Sequence, residues 1–367
     1  MSNQFRTFQN VKTYEEALDR HAQYVRWIEG ILCPCLNQVT RQPDINCSLC
    51  HGRGTIYRDM SGPFVINQEQ AKHDYHGVVT TKYGDLISEP TVYWQSALLS
   101  VGAYSGQTIN LDSPYPPACS RVKVNYQFSP KLSILSENSE VVAEKILKTS
   151  SSLTTSQGQS FYGAITAVSR VYNVTRDEDY TVSGFRHNLI YLSAMGTWQI
   201  GDILEVDYQY VKPYSFIINS VSEKMRYERG YVLPEADAIL ITPNWARVSP
   251  DDVFIALAQQ QVASVIVDPR ITAGNDIISQ FFDISAVERI VDSTGADIAI
   301  TSVLVENRNE IRWLVAKPAL PYSIELRYHP SYRALVSKSS LRNAENKNFV
   351  NRVNLKLMDR LSEEIMI

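Results

Sequence analysis

A chain of 367 residues is more than one hydrophobic core usually serves, so the sequence predicts two or three domains. Its 44% apolar and 20% charged residues are ordinary globular usage, and no stretch approaches the roughly eighteen uninterrupted apolar residues of a membrane helix, which excludes a helical membrane protein. A net charge of −4 excludes wholesale binding to phosphates, whose affinity rests on many cationic contacts and counterion release.

Met1 to Lys12 alternate polar and aromatic residues, without the apolar run and small-residue cleavage site of a secretory signal, so the expected compartment is a reducing cytosol. Thr13 to Leu32 reads as a helix. Thr13 and Glu16 form a capping box, Ala17, Leu18, His21, Val25, Ile28 and Ile31 recur at helical spacing, and Gly30 and Pro34 close it. His21 lies on that stripe and reads as a core or boundary residue.

Four of the five cysteines follow within eighteen positions, as C-P-C and then C-S-L-C-H-G-R-G. A C-x-x-C turn lets two thiolates grip one ion, and Gly52 and Gly54 supply the positive φ that aims backbone amides at the sulfurs. Cys33, Cys35, Cys47 and Cys50 are therefore predicted to hold one structural zinc, with His51 able to replace Cys33. Two disulfides or four free core thiols are the competing readings. Soft thiolates in a closed set of four favour zinc over an iron–sulfur cluster and leave no position for water or substrate, so the metal is expected to staple the fold. The C-x-x-C-x-G-x-G half resembles the zinc modules of J-domain chaperones, which implies the metal chemistry and not the chaperone role. Cys119 has no partner in the sequence and is expected to be a buried, inert thiol. His73 and His76, flanking Asp74, are weighed as a second metal site against plain surface residues ahead of a strand.

Beyond Met60 the pattern changes to period 2, as in Val122, Val124, Tyr126 and Phe128, and most of the chain reads as β. The 21 tyrosines, against 11 phenylalanines, suit half-buried strands and interfaces. Ser139 to Lys148 is the one plausible interior helix. Thr149 to Ser160, rich in serine and threonine, reads as a mobile loop or linker, or as a loop pinned by neighbouring subunits. A weak repeat links S-R-V-K-V-N-Y-Q-F-S-P (Ser120 to Pro130), D-I-L-E-V-D-Y-Q-Y-V-K-P (Asp202 to Pro213) and Y-S-I-E-L-R-Y-H-P (Tyr322 to Pro330). Three such strands suggest three similar β units, although alternation is common in any sheet.

Arg229 to Ile266 reads as further strands with turns at Pro243–Asn244 and Ser249–Asp252, Ser249 alternatively capping a short helix from Pro250. Arg333, Lys338, Arg342, Lys347, Arg352, Lys356 and Arg360 give the end of the chain a basic excess, with few strong strand signals until Val353 to Leu357, read as a tail lying across a neighbouring chain or as a solvated surface. The expected division is a helix and zinc module over 1–62, a β domain over 63–148, a polar linker over 149–160, a second β unit over 161–215, a barrel-like domain over 216–335 and a basic tail over 336–367. The fold class is thus mainly β and multidomain, with small sandwich or barrel units. No nucleophile elbow, phosphate loop, dinucleotide fingerprint or H-E-x-x-H helix is present, and the chain is not expected to be an enzyme.

Together the N-terminal helix, the C-P-C…C-x-x-C-H-G-R-G module, the β units ending in V-x-V-x-Y-x-Y or I-E-L-R-Y-H-P, and the late R-V-N-L-K-L-M-D segment resemble the structural virion proteins of tailed bacteriophages, particularly those of the neck and head-to-tail connection. Gly230 to Ile255 is similar to the small β-barrels of head-closure proteins. The resemblance implies a ring, six-fold or twelve-fold, around the genome channel in the neck or tail of a virion, folded first in the host cytoplasm. Its implied partners are copies of itself and virion proteins such as portal, adaptor, tail terminator or tube, with DNA passing unbound and no membrane involved. A baseplate or other tail role is the alternative. A zinc-ribbon nucleic-acid binder using Arg41, Arg53 and Arg58 is the alternative of a different class.

Overall fold

The computed structural model describes residues 20–358 except 38, 41, 48–49, 51–53, 84, 144, 150–151, 155–159, 163, 187, 194–201, 221–235, 268–275, 279–282, 307–308, 336–338 and 343–347. Its hub is a closed antiparallel barrel. Gln23–Leu32 pairs with Tyr214–Ser220, then Ala238–Pro243, Asn348–Leu357, Ser331–Ala334 and Val253–Ala256, which returns to Gln23–Leu32 through Val25 to Ile28. Closure removes the sheet edges, and side chains fill the interior. Trp27 packs there against Phe216 and Phe254 with ring centroids 6.0 and 5.7 Å apart. Among the described residues, those inserted between the barrel strands are the cysteine segment between Leu32 and Thr55, β units over 64–129 and 131–211, a third over 261–328, and the short strand Ser339–Arg342 that pairs with Asn348–Leu357.

Two expected helices are corrected. Gln23–Leu32 is a barrel strand; residues 13–19 lie outside the described residues. Alternation is hidden here because both faces are covered. Val25 and Trp27 point into the barrel, while Ile28 packs outside with Val253, Ile255 and Leu257. Arg26, also outward, is 7% exposed and donates from Nε and Nη2 to the Asp59 carboxylate at 2.6 and 3.1 Å, with Asp283 of the third unit 3.9 Å away. Replacing Arg26 by methionine removes the buried cation that faces these two carboxylates and is expected to cost about 3–5 kcal/mol in chemical denaturation. Ser139 to Lys148 likewise belongs to strands Lys131–Ala143 and Ile146–Lys148, and the consecutive Ile146 and Leu147, 1% and 0% exposed, break the alternation.

The expected polar linker holds a short hairpin, Ser152–Thr154 with Ser160–Tyr162. The expected tail supplies Asn348–Leu357, which pairs with both Ala238–Pro243 and Ser331–Ala334, so the barrel reaches beyond 216–335 at both ends of the chain. Arg352 and Lys356 alternate with Val353 and Leu355, which are 2% and 0% exposed. Ser249 starts a turn and no helix: its N–H and that of Gly30 donate to the buried Asp252 carboxylate at 2.8 and 3.1 Å.

The three repeated strands each occupy the middle of a sheet: Arg121–Ser129, Leu204–Val211 and Tyr322–Tyr328. The second and third units match in detail. In each, the central strand is flanked by a long strand carrying the same pattern, I-T-A-V-S-R-V-Y-N from Ile165 and I-S-A-V-E-R-I-V-D from Ile284. Both flanking strands bulge at the same two places, between Ile165 and Ala167 and between Ile284 and Ala286, then before Arg170 and before Arg289. Each arginine pairs across to the next strand, Arg170 to Asp179 at 2.6 Å and Arg289 to Asp297 at 2.7 Å. Each strand ends in a turn in which a side-chain oxygen accepts the N–H two residues on, at Asn173 to Thr175 and at Asp292 to Thr294. A second sheet follows the same order in both, Ile146–Lys148, Leu189–Leu192 and Val182–Arg186 against Asp276–Ile277, Glu310–Trp313 and Val303–Glu306. The first unit retains the turn, with Asp74 accepting the His76 N–H at 2.8 Å.

Candidate metal centre

The cysteines sit at the tip of a hairpin that leaves the barrel. Gln23–Leu32 runs on past the barrel and pairs Leu32 with Thr55, and the Cys33 N–H donates to the Gly54 carbonyl at 2.8 Å, closing the loop at its neck. Gly54 has φ +73°, a left-handed conformation open to glycine, and a Cβ there would meet Pro43 at 3.3 Å. Within the loop, the Leu36 N–H donates to the Cys33 carbonyl at 3.0 Å, turning the chain around Cys-Pro-Cys. Asn37 Oδ1 accepts from Val39 and Thr40 at 2.8 and 3.0 Å, and Asp44 accepts from Asn46 and Cys47. These are side-chain-to-backbone turns that order a segment with almost no apolar core.

The result is convergence of four sulfurs. Cys33 and Cys47 Sγ lie 3.7 Å apart, Cys35 and Cys50 Sγ lie 3.4 Å apart, and all four are within 4.8 Å of one another. A tetrahedral ion with metal–sulfur bonds of about 2.3 Å sets its sulfurs about 3.8 Å apart. The donor set therefore fits a zinc-sized cation, and no disulfide joins any two of the four cysteines. Cys33 and Cys50 are 2% and 3% exposed, and Cys35 and Cys47 are half-buried. With four sulfurs in the set, no position is left for a substrate.

Electrostatics make cation binding at this site dependent on pH. Burial foremost, and then the other three sulfurs, push the Cys35 thiol up to about 12, although a hydrogen bond from the Asp44 backbone opposes the shift. A metal that displaces these protons relieves that crowding, so its affinity must fall as pH falls.

The remaining sequence candidates fare differently. His51 lies outside the described residues. Among the described residues the cysteine cluster is the sole group of three or more metal-ligating side chains drawn together. His73 is buried, not a surface residue, and its Nδ1 and Nε2 lie 2.6 and 2.8 Å from the Asp74 and Pro117 carbonyls, so neither nitrogen faces an ion. Cys119 is exposed in a turn at φ +62° and is not the buried thiol the sequence suggested. Arg58 pairs with Glu29 at 2.8 Å, while Arg41 and Arg53 lie outside the described residues. No described helix is long and apolar enough to cross a membrane. No family model and no curated protein matches this chain.

Proposed function

We propose that the chain is a structural subunit of a phage tail machine, placed at the neck or head-to-tail connection, where copies form a ring around the DNA channel. The observation that carries this reading is one β unit used repeatedly on a barrel hub, which provides assembly surfaces at the free edges of its sheets. Gln261–Val267 is such an edge. Among the described residues it pairs on one side only, with Tyr322–Tyr328; it carries no charge and turns out Val262 and Ile266, which are 56% and 72% exposed. Edges that stay unpaired are usually guarded by lysine, proline or a bulge, and this strand has none. The hairpin tip adds Leu32, Val39 and Ile45, exposed at 68%, 91% and 82%.

The barrel of one chain is filled by Trp27, Phe216 and Phe254, so the channel of this reading runs between copies. A zinc held by the four cysteines stiffens the hairpin as a contact arm. Light scattering of the purified protein, followed by negative-stain imaging and a search for the chain in assembled virions, tests the reading. A ring that incorporates at the neck supports it, and incorporation at the tail tip supports the baseplate alternative. A monomer absent from virions that binds DNA in a salt-dependent manner overturns both. Ile266→Lys is expected to dissolve the assembly while leaving the thermal midpoint within a few degrees, because the position is exposed.

A further inference from the structure

The paired units provide an internal control for what the fold itself needs. Leu147 faces Ile190 across the second sheet of unit two as Asp276 faces Ile311 in unit three. Leu192 faces Val182 as Trp313 faces Val303. Leu204 stands two residues before Val206 as Tyr322 stands before Ile324, in strands whose flanking partners are Val171 and Ile290. Unit two fills these three places with leucines that join one apolar cluster. Unit three fills them with a carboxylate, an indole and a phenol, and adds an amine.

The geometry of these groups is specific. Asp276 is 0% exposed. Its Oδ2 accepts the Trp313 indole N–H at 2.9 Å and the Tyr322 O–H at 2.5 Å, and its Oδ1 faces Lys317 Nζ in direct contact. The Lys317 side chain is 22% exposed, and the Trp313 and Tyr322 rings pack edge to face at 5.4 Å. Leucines do the packing in the twin at no desolvation cost, whereas an ion pair in such a place repays its desolvation poorly. Stability alone does not account for the exchange.

We propose that Lys317 and Asp276 are joined by an intramolecular amide bond that forms once the third unit has folded. The ammonium first passes one proton to the Oδ1 it touches, and the Nζ lone pair so freed attacks Cγ of Asp276. Charge developing on Oδ2 is received by the Tyr322 O–H and the Trp313 N–H, an oxyanion hole already in place. The Cγ–Oδ1 bond breaks and Oδ1 leaves as water, taking two of the three ammonium protons while the third stays on the amide nitrogen. Lysine ammonium plus carboxylate gives amide plus water, balanced in atoms and charge with no other reactant. Folding supplies the proximity, and the product carries neither buried charge. Burial foremost, and then the hydrogen bond to Asp276, hold the Tyr322 phenol well above its ordinary value, so it stays protonated as a donor. The bond spans 41 positions and ties the second sheet of the unit to the loop before its last strand.

Peptide mapping of the full folded chain by mass spectrometry, after denaturation and proteolysis, decides the matter. The expected result is one branched peptide holding both Lys317 and Asp276, lighter by one water than its two parts, with the linear peptides missing. Lys317→Arg and Asp276→Leu, the latter copying the twin unit, should each abolish the branch. Recovery of both linear peptides at full mass from wild-type protein overturns the proposal. So does water loss confined to the Asp276 peptide, which marks a succinimide. The wild-type map suffices even where a variant fails to fold.

Discussion

Replacing Cys47 by serine is expected to abolish binding of one zinc per chain and to unfold the hairpin tip from Cys33 to about Gly54, while the barrel and the three β units stay folded. The tip has turns but little apolar surface to bury, so on the metal reading its order rests on a bound ion, whose binding in small thiolate sites is worth on the order of 10 kcal/mol. The damage stops at the neck of the hairpin for a structural reason. Thr55–Asp59 pairs with Gln23–Leu32, Asp59 is held by the buried Arg26, and the Tyr214 hydroxyl donates to the Met60 carbonyl at 2.7 Å, which anchors the returning chain on the barrel. Hydrogen exchange should show protection lost in the tip alone, and a chelator should reproduce the same pattern in the wild type. Elemental analysis that finds no zinc in native protein, with the tip still protected, would reject the metal reading.

What the sequence made legible follows from how local the physics is. The cysteine set could be read because a metal site needs only residue type and spacing, and its four members do converge. The barrel could not, because its strands come from 23–32, 214–220, 238–243, 253–256, 331–334 and 348–357, and nothing in short-range periodicity says that the first and last of these share one sheet. The strand at Gln23–Leu32 misled for a related reason: with Arg26 and Ile28 covered as fully as Val25 and Trp27, its period-2 signature vanished and a helical stripe fitted by accident. In the basic end of the chain the strand signal at Val353 to Leu357 was legible and belongs to Asn348–Leu357, but the charges of Arg352 and Lys356 made the segment read as a tail. The repeat was half visible. The central strands were found by their tyrosines, but the flanking I-x-A-V-x-R pattern was a stronger signal, since it fixes two bulges, an ion pair and a turn at once. The Asp276 cluster left no trace, because an aspartate and a lysine 41 positions apart look like surface charges until the fold buries them.

Asp252 should prove the most sensitive single carboxylate of the hub. It is 0% exposed, and it accepts the Trp27 indole N–H at 3.0 Å, the Gly30 N–H at 3.1 Å and the Ser249 N–H at 2.8 Å, tying three parts of the barrel rim together. Asp252→Ala leaves these donors without a partner, and at about 1 kcal/mol or more for each the variant should lose at least about 3 kcal/mol in urea unfolding. Gly30 compounds the effect, since a Cβ there would lie 2.6 Å from the Asp251 carbonyl oxygen, so the strand has no slack to move. The charge itself works the other way. Burial raises the Asp252 carboxyl from its ordinary value despite its three hydrogen bonds, so the folded chain holds this proton more tightly than the unfolded one. Its contribution to stability must then fall as pH rises from the ordinary carboxylate range through the raised folded value, and stay low above it. Asp252→Asn keeps the shape and one acceptor oxygen but cannot titrate. The difference in unfolding free energy between wild type and Asp252→Asn, measured from pH 3.5 to 7, should therefore shift in favour of the asparagine variant as pH rises; a flat difference would mean that the carboxyl ionises as freely in the barrel as in the open chain.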